Sequence, residues 1–244
     1  MTTDLRGKVA LVTGGAVRVG RAISLALAAA GCDLLIHYGR SATPAGETAT
    51  AARAFGVNVH THQANLADAA ETAGIIPAGV AALGHIDILI NNAAIFLDGG
   101  LADTTLTMWQ TQMAINLQAP FLLSQAFVQQ LGTRPGQIIN ISDARITRPG
   151  ADHFAYRLTK TALVAMTEGL ALELAPHVRV NAVALGAILP PPGEDERYIQ
   201  ALAQQRVPLR RPGNAQLVAE NVLHLLRQEF LTGVTIRLDG GEFL

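Results

Sequence analysis

The sequence predicts an α/β fold, a doubly wound, seven-stranded parallel sheet with helices on both faces. Short β-branched runs alternate with longer Ala- and Leu-rich segments along the 244 residues, which is the pattern of successive βαβ units. No Ser/Gly-rich linker, charge run or internal repeat divides the chain. We therefore expect residues 1–244 to form a single domain.

The individual elements follow from local composition and periodicity. The predicted strands are 8–13, 33–37, 57–62, 87–91, 137–142, 178–184 and 235–238. The predicted helices, with apolar residues at steps of three and four, are 19–30, 45–55, 67–83, 104–131, 153–175 and 215–228. Residues 186–211 break this rhythm with three consecutive prolines and an acidic cluster. We expect a substrate-covering loop with a short helix there; the alternative is a solvated surface excursion.

Composition narrows the classes of partner. Eighteen Lys and Arg against 19 Asp and Glu give a net charge of -1, which provides no strong positive field for nucleic acid. Cys32 has no partner for a disulfide, and no Cys/His cluster has the spacing of a zinc site. We see no signal peptide and no apolar run of about 18 residues. The expectation is a cytoplasmic protein without metal, membrane or nucleic-acid contacts.

A glycine-rich turn follows the first strand and opens the first helix. It reads Thr-Gly-Gly-Ala-Val-Arg-Val-Gly and includes Gly14, Arg18, Val19 and Gly20. Glycines let backbone amides approach an anion at a helix N-terminus, so we expect a pyrophosphate to bind here. Arg18 adds a guanidinium that can reach cofactor phosphate and substrate. The alternatives are a turn that is glycine-rich for steric reasons and a solvated arginine.

The second strand ends in His37, Tyr38, Gly39, Arg40 and Ser41. An enzyme that prefers NAD places a carboxylate at this position, where it binds the adenosine ribose. None is present. Arg40, the Ser41 hydroxyl and His37 instead favour a 2'-phosphate, so the sequence predicts NADPH.

Aromatic and polar residues follow the fourth and fifth strands. Phe96 comes shortly after Asn92 and is expected to form one wall of a slot for a flat aromatic substrate, unless it is simple core. Asp143 ends the fifth strand, and Tyr156 and Lys160 share one face of the next helix. An ammonium near a phenol stabilises phenolate, so we expect the pKa of Tyr156 to fall toward neutrality.

These motifs together resemble the short-chain dehydrogenase/reductase family over the whole chain, including RVNAVALG at 179–186 and a terminal DGG. The resemblance implies a Rossmann-type fold and Asp143, Tyr156, Lys160 and Asn116 as the catalytic set. Asn116, in the helix 104–131, is expected to hold a water in a proton relay, and Lys160 to bind the nicotinamide ribose. The remaining cofactor-binding positions that it implies are Asn65, Leu66, Asn92, Ala93, Ala94, Gly186 and Ile188.

Three departures from the common family pattern resemble the pteridine reductase branch: Arg18, the HYGRS segment and Asp143. Bacterial dihydromonapterin and dihydrofolate reductases share much of this pattern. The resemblance implies hydride transfer from NADPH to a pterin C=N bond. Phe96 would stack on the ring, Arg18 and Asp143 would bind its polar edges, and Tyr156 would supply a proton. Ala94, Asn65 and Leu185 depart from that branch.

Two other functions remain open. A carbonyl reductase of the same family would use Tyr156 and Lys160, but a carboxylate at position 143 would oppose a developing alkoxide. A non-catalytic NADP-binding sensor would need neither these residues nor Asn116. The helices 104–131 and 153–175 suit the interfaces of a homotetramer, unless their apolar sides only face the sheet.

Overall fold

A computed structural model describes residues 3–191 and 193–244 of the chain. Seven parallel strands form one sheet in the order β3-β2-β1-β4-β5-β6-β7. The strands are β1 Val9–Val12, β2 Asp33–Tyr38, β3 Val59–Gln63, β4 Ile88–Asn91, β5 Gly136–Asp143, β6 Val178–Leu185 and β7 Thr235–Leu238. The predicted fold class is confirmed.

The helices fill the connections between strands. They are α1 Arg18–Ala29, α2 Ala42–Arg53, α3 Ala69–Leu83, α4 Leu106–Met113, α5 Ala119–Leu131, α6 Phe154–Leu174, α7 Glu196–Arg206 and α8 Ala215–Arg227. A π-helical turn, Ala114–Gln118, joins α4 to α5, and a 3-10 turn, Ala144–Thr147, follows β5. The short helix expected within 186–211 is α7.

Both faces of the sheet are covered, because alternate residues of one strand enter different apolar clusters. Val12 of β1 packs with Leu27 of α1 and Val222 of α8. Leu11, its neighbour in β1, packs on the other face with Phe127 of α5. All of these side chains are fully buried. Burial on both faces explains why the strands read as continuous apolar runs.

The helix predicted over 104–131 is interrupted, which the sequence analysis did not foresee. Pro120 lies at the start of α5 and has no N–H to donate to the carbonyl of Asn116, four residues earlier. The chain accommodates this with the π-helical turn that contains Asn116. The turn thereby places the Asn116 side chain in the interior.

The sheet topology locates a crevice at the carboxyl ends of β1 and β4. These two strands are neighbours, but the chain leaves β1 toward β2 and leaves β4 toward β5. The following loops therefore diverge, and ligands of open α/β sheets bind at this switch point. The glycine turn, Asn92 and Asp143 all lie at this edge of the sheet.

The described residues contain neither a membrane-spanning helix nor a metal-binding group. Among residues 3–191 and 193–244, no helix combines the length and hydropathy needed to span a membrane. The same residues contain no group of His, Cys, Asp and Glu side chains arranged to hold a metal ion.

Gly20→Ala tests the close packing of the glycine turn. A Cβ at Gly20 would lie 2.0 Å from the Gly14 carbonyl oxygen and 2.7 Å from Asn92 Nδ2. We expect a loss of about 1–3 kcal/mol from overpacking, measured by thermal unfolding as about 2–4 °C for each kcal/mol.

Gly74→Ala in α3 is the matched control, because a Cβ there meets no atom within 4 Å. Its higher helix propensity adds about 0.5–1 kcal/mol of stability. Equal melting temperatures for the two variants would contradict the steric account.

Candidate active site

The turn after β1 leads into the N-terminus of α1 at the crevice. Gly14 has a φ of +61° and Gly20 lies directly against its carbonyl. Val17 makes no side-chain cap at the start of α1, and the first turn has no acidic residue. An uncapped helix N-terminus beside such a turn fits a pyrophosphate.

Arg18 connects this turn to the 186–211 segment. Its φ of +53° is in the left-handed region that favours glycine. Its exposed guanidinium donates a hydrogen bond of 2.6 Å to the carbonyl of Pro190. The strained conformation of Arg18 therefore accompanies a contact across the mouth of the crevice.

Thr13 ties the ends of β1 and β4 together, a role that the sequence analysis missed. Its Oγ1 accepts hydrogen bonds from the N–H groups of Asn92, at 2.9 Å, and Ala93, at 3.0 Å. Asn92 Nδ2 donates in return to the Thr13 carbonyl at 2.8 Å. A hydroxyl residue immediately before the glycines was the available sequence signal.

His37 does not take the phosphate-binding position that the sequence suggested. Its Nδ1 accepts from the Gly14 N–H at 3.2 Å, and its Nε2 lies 3.0 Å from the Ala64 carbonyl. Nε2 therefore carries the hydrogen, and burial lowers the pKa of His37. A neutral ring with both nitrogens occupied supports the glycine turn and has no group free for a phosphate.

Arg40 and Ser41 remain available at the end of β2. Arg40 is exposed, and the Ser41 hydroxyl makes no cap hydrogen bond to α2. Tyr38 beside them is half-buried. Residues 37–41 include no Asp or Glu, so their own side chains do not repel an anionic group.

The predicted cofactor-binding residues that follow β3, β4 and β6 differ in their exposure to solvent. Asn65 is exposed and donates its N–H to Glu71 Oε2, whereas Leu66 is buried. A Cβ at Gly186 would lie 2.7 Å from Asp239 Cα, so only glycine fits beside the terminal DGG. Ile188 is buried in the core and Ala94 is exposed.

Asp143 and Tyr156 meet directly at the carboxyl end of β5. Asp143 Oδ1 accepts from the Arg145 N–H at 2.8 Å, which fixes the carboxylate at the start of the 3-10 turn. The Tyr156 hydroxyl donates to Asp143 Oδ2 at 2.9 Å. Two residues that are thirteen positions apart are thus one hydrogen-bonded unit.

The expected effect of Lys160 on Tyr156 is wrong for this state of the protein. Burial raises the pKa of Tyr156 well above its usual value, and the charge and hydrogen bond of Asp143 raise it further. Lys160 Nζ lies 5.8 Å from the Tyr156 ring centroid and donates instead to the Ile141 carbonyl at 2.8 Å. Tyr156 is therefore a neutral phenol and a proton donor.

Asn116 uses its side chain to hold the backbone of Ile95. Its Oδ1 accepts from the Ile95 N–H at 2.9 Å and its Nδ2 donates to the Ile95 carbonyl at 3.0 Å. Nδ2 also lies 3.3 Å from the Thr159 hydroxyl. The side chain thus fixes the residue before Phe96, and the water expected at Asn116 stays a prediction.

Phe96 lies in an aromatic cluster with Tyr156. Its ring stacks on His153 at 4.0 Å between centroids and meets Tyr156 edge-on at 4.7 Å. The Arg145 guanidinium lies 5.2 Å from the Phe96 centroid. Phe96 therefore lies beside Tyr156 with one face covered by His153, and its role as the wall of a substrate slot stays a prediction.

The sequence analysis missed His153 and Arg145. His153 adopts a left-handed φ of +49°, and no sequence pattern marks that position. Arg145 follows Asp143 by two residues, but nothing in the sequence shows that its side chain turns back toward Phe96.

Comparison with known proteins decides the family. A family model described as "Enoyl-(Acyl carrier protein) reductase" matches residues 15–242. The chain belongs to the short-chain dehydrogenase/reductase family. As a member of this family it is an oxidoreductase.

Its relatives are named as enzymes with different activities. The 3-oxoacyl-[acyl-carrier-protein] reductase FabG of Staphylococcus aureus (strain Mu50) is 35% identical over 97% of this chain and 98% of its own length. FolM alternative dihydrofolate reductase 1 from Brucella canis, solved with NADP, has a TM-score of 0.93 at 31% identity, over 98% and 95% of the two chains. A short-chain dehydrogenase from Burkholderia cenocepacia, also solved with NADP, has a TM-score of 0.92 at 33% identity, over 99% and 100%.

Lys160 makes stability depend on pH in a defined window. Burial lowers its pKa to about 8, with Asp143 acting in the opposite direction. An unfolded lysine has a pKa of about 10.4, so between these values the unfolded chain binds the extra proton. The free energy of unfolding contributed by Lys160 therefore rises with pH above 8 and is constant below it.

The measurement compares urea unfolding of the wild type and Lys160→Met at pH 7.5 and 9.5. We expect the free energy of unfolding of the wild type to rise by about 2 kcal/mol, relative to that of the variant, when the pH is raised from 7.5 to 9.5. The same difference at both pH values would mean that Lys160 has an ordinary pKa.

Proposed function

We propose that this protein reduces a C=N bond of a pterin with NADPH. The observation that supports this most strongly is the hydrogen bond between Tyr156 and Asp143 beside the Phe96 ring. The bond joins a neutral proton donor to a carboxylate at the wall of a site for a flat ring.

The cofactor is NADPH/NADP+. The uncapped start of α1 and the close-packed Gly14 and Gly20 fit its pyrophosphate. Arg40 and Ser41 fit its 2'-phosphate, because a guanidinium and a hydroxyl donate hydrogen bonds where a carboxylate would repel. Two related structures, from Brucella canis and Burkholderia cenocepacia, were solved with NADP. When bound, this cofactor supplies a hydride.

Tyr156 supplies the matching proton. The phenol is protonated at neutral pH and can donate to a ring nitrogen as the adjacent carbon is reduced, but its raised pKa makes it a weak acid, so the transfer depends on stabilising the phenolate that forms. The buried ammonium of Lys160 then offsets the charge left on the phenolate. Asp143, whose side chain is 15% exposed, connects the buried Tyr156 to solvent and allows it to be reprotonated.

Asp143 favours a pterin over a ketone. A carboxylate can accept hydrogen bonds from the N–H and amine groups of a pterin, which a serine hydroxyl does less strongly. The same carboxylate beside the alkoxide that forms from a ketone raises the barrier. Phe96 adds a flat wall that suits an aromatic ring.

A carbonyl reductase is the second candidate. The Staphylococcus aureus relative, which is named a 3-oxoacyl-[acyl-carrier-protein] reductase, is 35% identical to this chain. The alternative dihydrofolate reductase from Brucella canis is 31% identical. Overall identity therefore favours a carbonyl substrate, and the residues of the site favour a pterin. Measured turnover decides between them.

We also propose that residues 186–211 cover the substrate and that four subunits assemble through α4, α5 and α6. The hydrogen bond from Arg18, in the glycine turn, to the Pro190 carbonyl supports a covering role for this segment. Large apolar side chains on the three helices are exposed: Leu106, Phe121, Leu158 and Leu172. Exposed apolar patches on helices are typical of subunit interfaces.

Turnover of defined substrates tests the proposal. NADPH is mixed with dihydrobiopterin, dihydrofolate, dihydromonapterin or an acetoacetyl thioester, and loss of reduced-cofactor absorbance is followed. We expect turnover of at least one pterin, and Tyr156→Phe abolishes it because the proton donor is gone, while NADPH binding persists. Turnover of the thioester alone would contradict the pterin function.

Arg40→Asp tests the choice of cofactor. Replacing one charge-assisted phosphate contact with a repulsive carboxylate lowers the NADPH/NADH ratio of kcat/KM by more than about tenfold. Kinetics with NADH are the internal control and change little. An unchanged ratio would show that Arg40 does not contact the 2'-phosphate.

A further inference from the structure

A cavity borders the catalytic cluster, and half of the residues that line it are arginines. It has a volume of about 350 Å³ and lies between the turn after β5, the end of α7 and the C-terminal residues. Four of its lining residues are arginines, Arg145, Arg148, Arg157 and Arg206, and we call it the arginine pocket. Its volume is within the range of small-molecule sites.

The arginine pocket carries an excess of positive charge. Its only carboxylates among the described residues are Asp152 and Glu242. Burial raises the pKa of Glu242, while its hydrogen bond from the Ala187 N–H acts in the opposite direction. Guanidinium groups stay charged at every working pH, so the lining has a net charge of at least about +2 at neutral pH.

Arg145 and Arg157 make contacts within the chain that stabilise the shape of the pocket. Arg157 donates to Asp152 Oδ1 at 2.7 Å and to the carbonyls of Asp152 and Arg145, both at 2.9 Å. Arg145 lies 3.3 Å from Asp152 Oδ2. These contacts hold the chain from 145 to 152 in one shape, so the cavity is preorganised.

The other two arginines are free to bind an anion. Within residues 3–191 and 193–244, neither Arg148 nor Arg206 forms an ion pair with a carboxylate. They belong to different segments, the loop after β5 and the last turn of α7. Both nevertheless line the same cavity, so a bound anion would be contacted from two sides.

Arg145 connects the pocket with the reacting groups. Its Nε lies 4.0 Å from Asp143 Oδ1, and its guanidinium carbon lies 5.2 Å from the Phe96 centroid. Arg145 thus lies between the Phe96 ring and the pocket, so a substrate side chain that extends past Arg145 from a ring at Phe96 would enter the pocket. Such a substrate would need a side chain that ends in a negative group.

We propose that the arginine pocket binds the carboxylate tail of the substrate, so that the preferred pterin is one that carries an acidic side chain, as dihydrofolate does. This rests on the proposed function and makes its substrate class more specific. Arg148 and Arg206 bind the tail carboxylates, and Arg157 with Asp152 keeps the pocket open. A pterin without an acidic tail gains nothing from the pocket.

Steady-state kinetics of Arg148→Ala and Arg206→Ala test this inference. We expect KM for dihydrofolate to rise about tenfold in each variant, with kcat little changed because the reacting groups are untouched. KM for dihydrobiopterin, which has no carboxylate, stays at the wild-type value. High salt raises KM for dihydrofolate alone, because it screens the charges.

Arg227→Ala is the matched control, since Arg227 is an exposed arginine in the last turn of α8, outside both the pocket and residues 186–211. It removes the same charge and leaves both KM values unchanged. Equal effects of Arg148→Ala and Arg206→Ala on the two pterins, or no effect on either, would overturn the inference while the proposed function stands.

Absence of turnover with every pterin would instead refute the proposed function. The pocket is then tested by calorimetry with p-aminobenzoylglutamate, which carries the tail without the reducible ring. Weaker binding to Arg206→Ala than to Arg227→Ala supports the arginine pocket as a carboxylate site. Equal binding to the two variants, or no binding to the wild type, overturns it.

Discussion

The hydrogen bond from the Tyr156 hydroxyl to the Asp143 carboxylate is the interaction on which the site depends. It spans 2.9 Å between two elements, the end of β5 and the first turn of α6. A carboxylate in this position keeps the buried phenol protonated, because ionising Tyr156 would place a second negative charge beside the first. Tyr156 therefore carries the proton that the proposed reduction of a C=N bond requires.

The surrounding residues maintain that geometry. Asn116 holds the Ile95 backbone, which positions Phe96 against the edge of the Tyr156 ring. The π-helical turn that places Asn116 exists because Pro120 cannot continue the α-helical hydrogen bonding. A backbone constraint in one helix thus contributes to the shape of the substrate wall. Arg145 adds a positive charge next to the same wall and connects it with the arginine pocket.

Much of this architecture follows from sequence patterns, since strand and helix periodicity and a glycine turn are local signals. The meeting of Asp143 with Tyr156 also followed from motif spacing, but the protonation of Tyr156 did not. Spacing showed that Lys160 shares a helical face with Tyr156, yet burial and Asp143 control the pKa. His37 turned inward because both faces of the parallel sheet are buried and its ring satisfies two backbone groups. Long-range contacts such as His153 on Phe96 leave no trace in a single sequence.

The most direct measurement is a crystal structure of the ternary complex with NADP+ and a pterin. The account predicts a pterin ring stacked on the free face of Phe96, with one ring nitrogen within hydrogen-bonding distance of the Tyr156 hydroxyl and a nitrogen donor bonded to Asp143. A ring bound elsewhere, or one whose nitrogens face away from Tyr156 and Asp143, would contradict it.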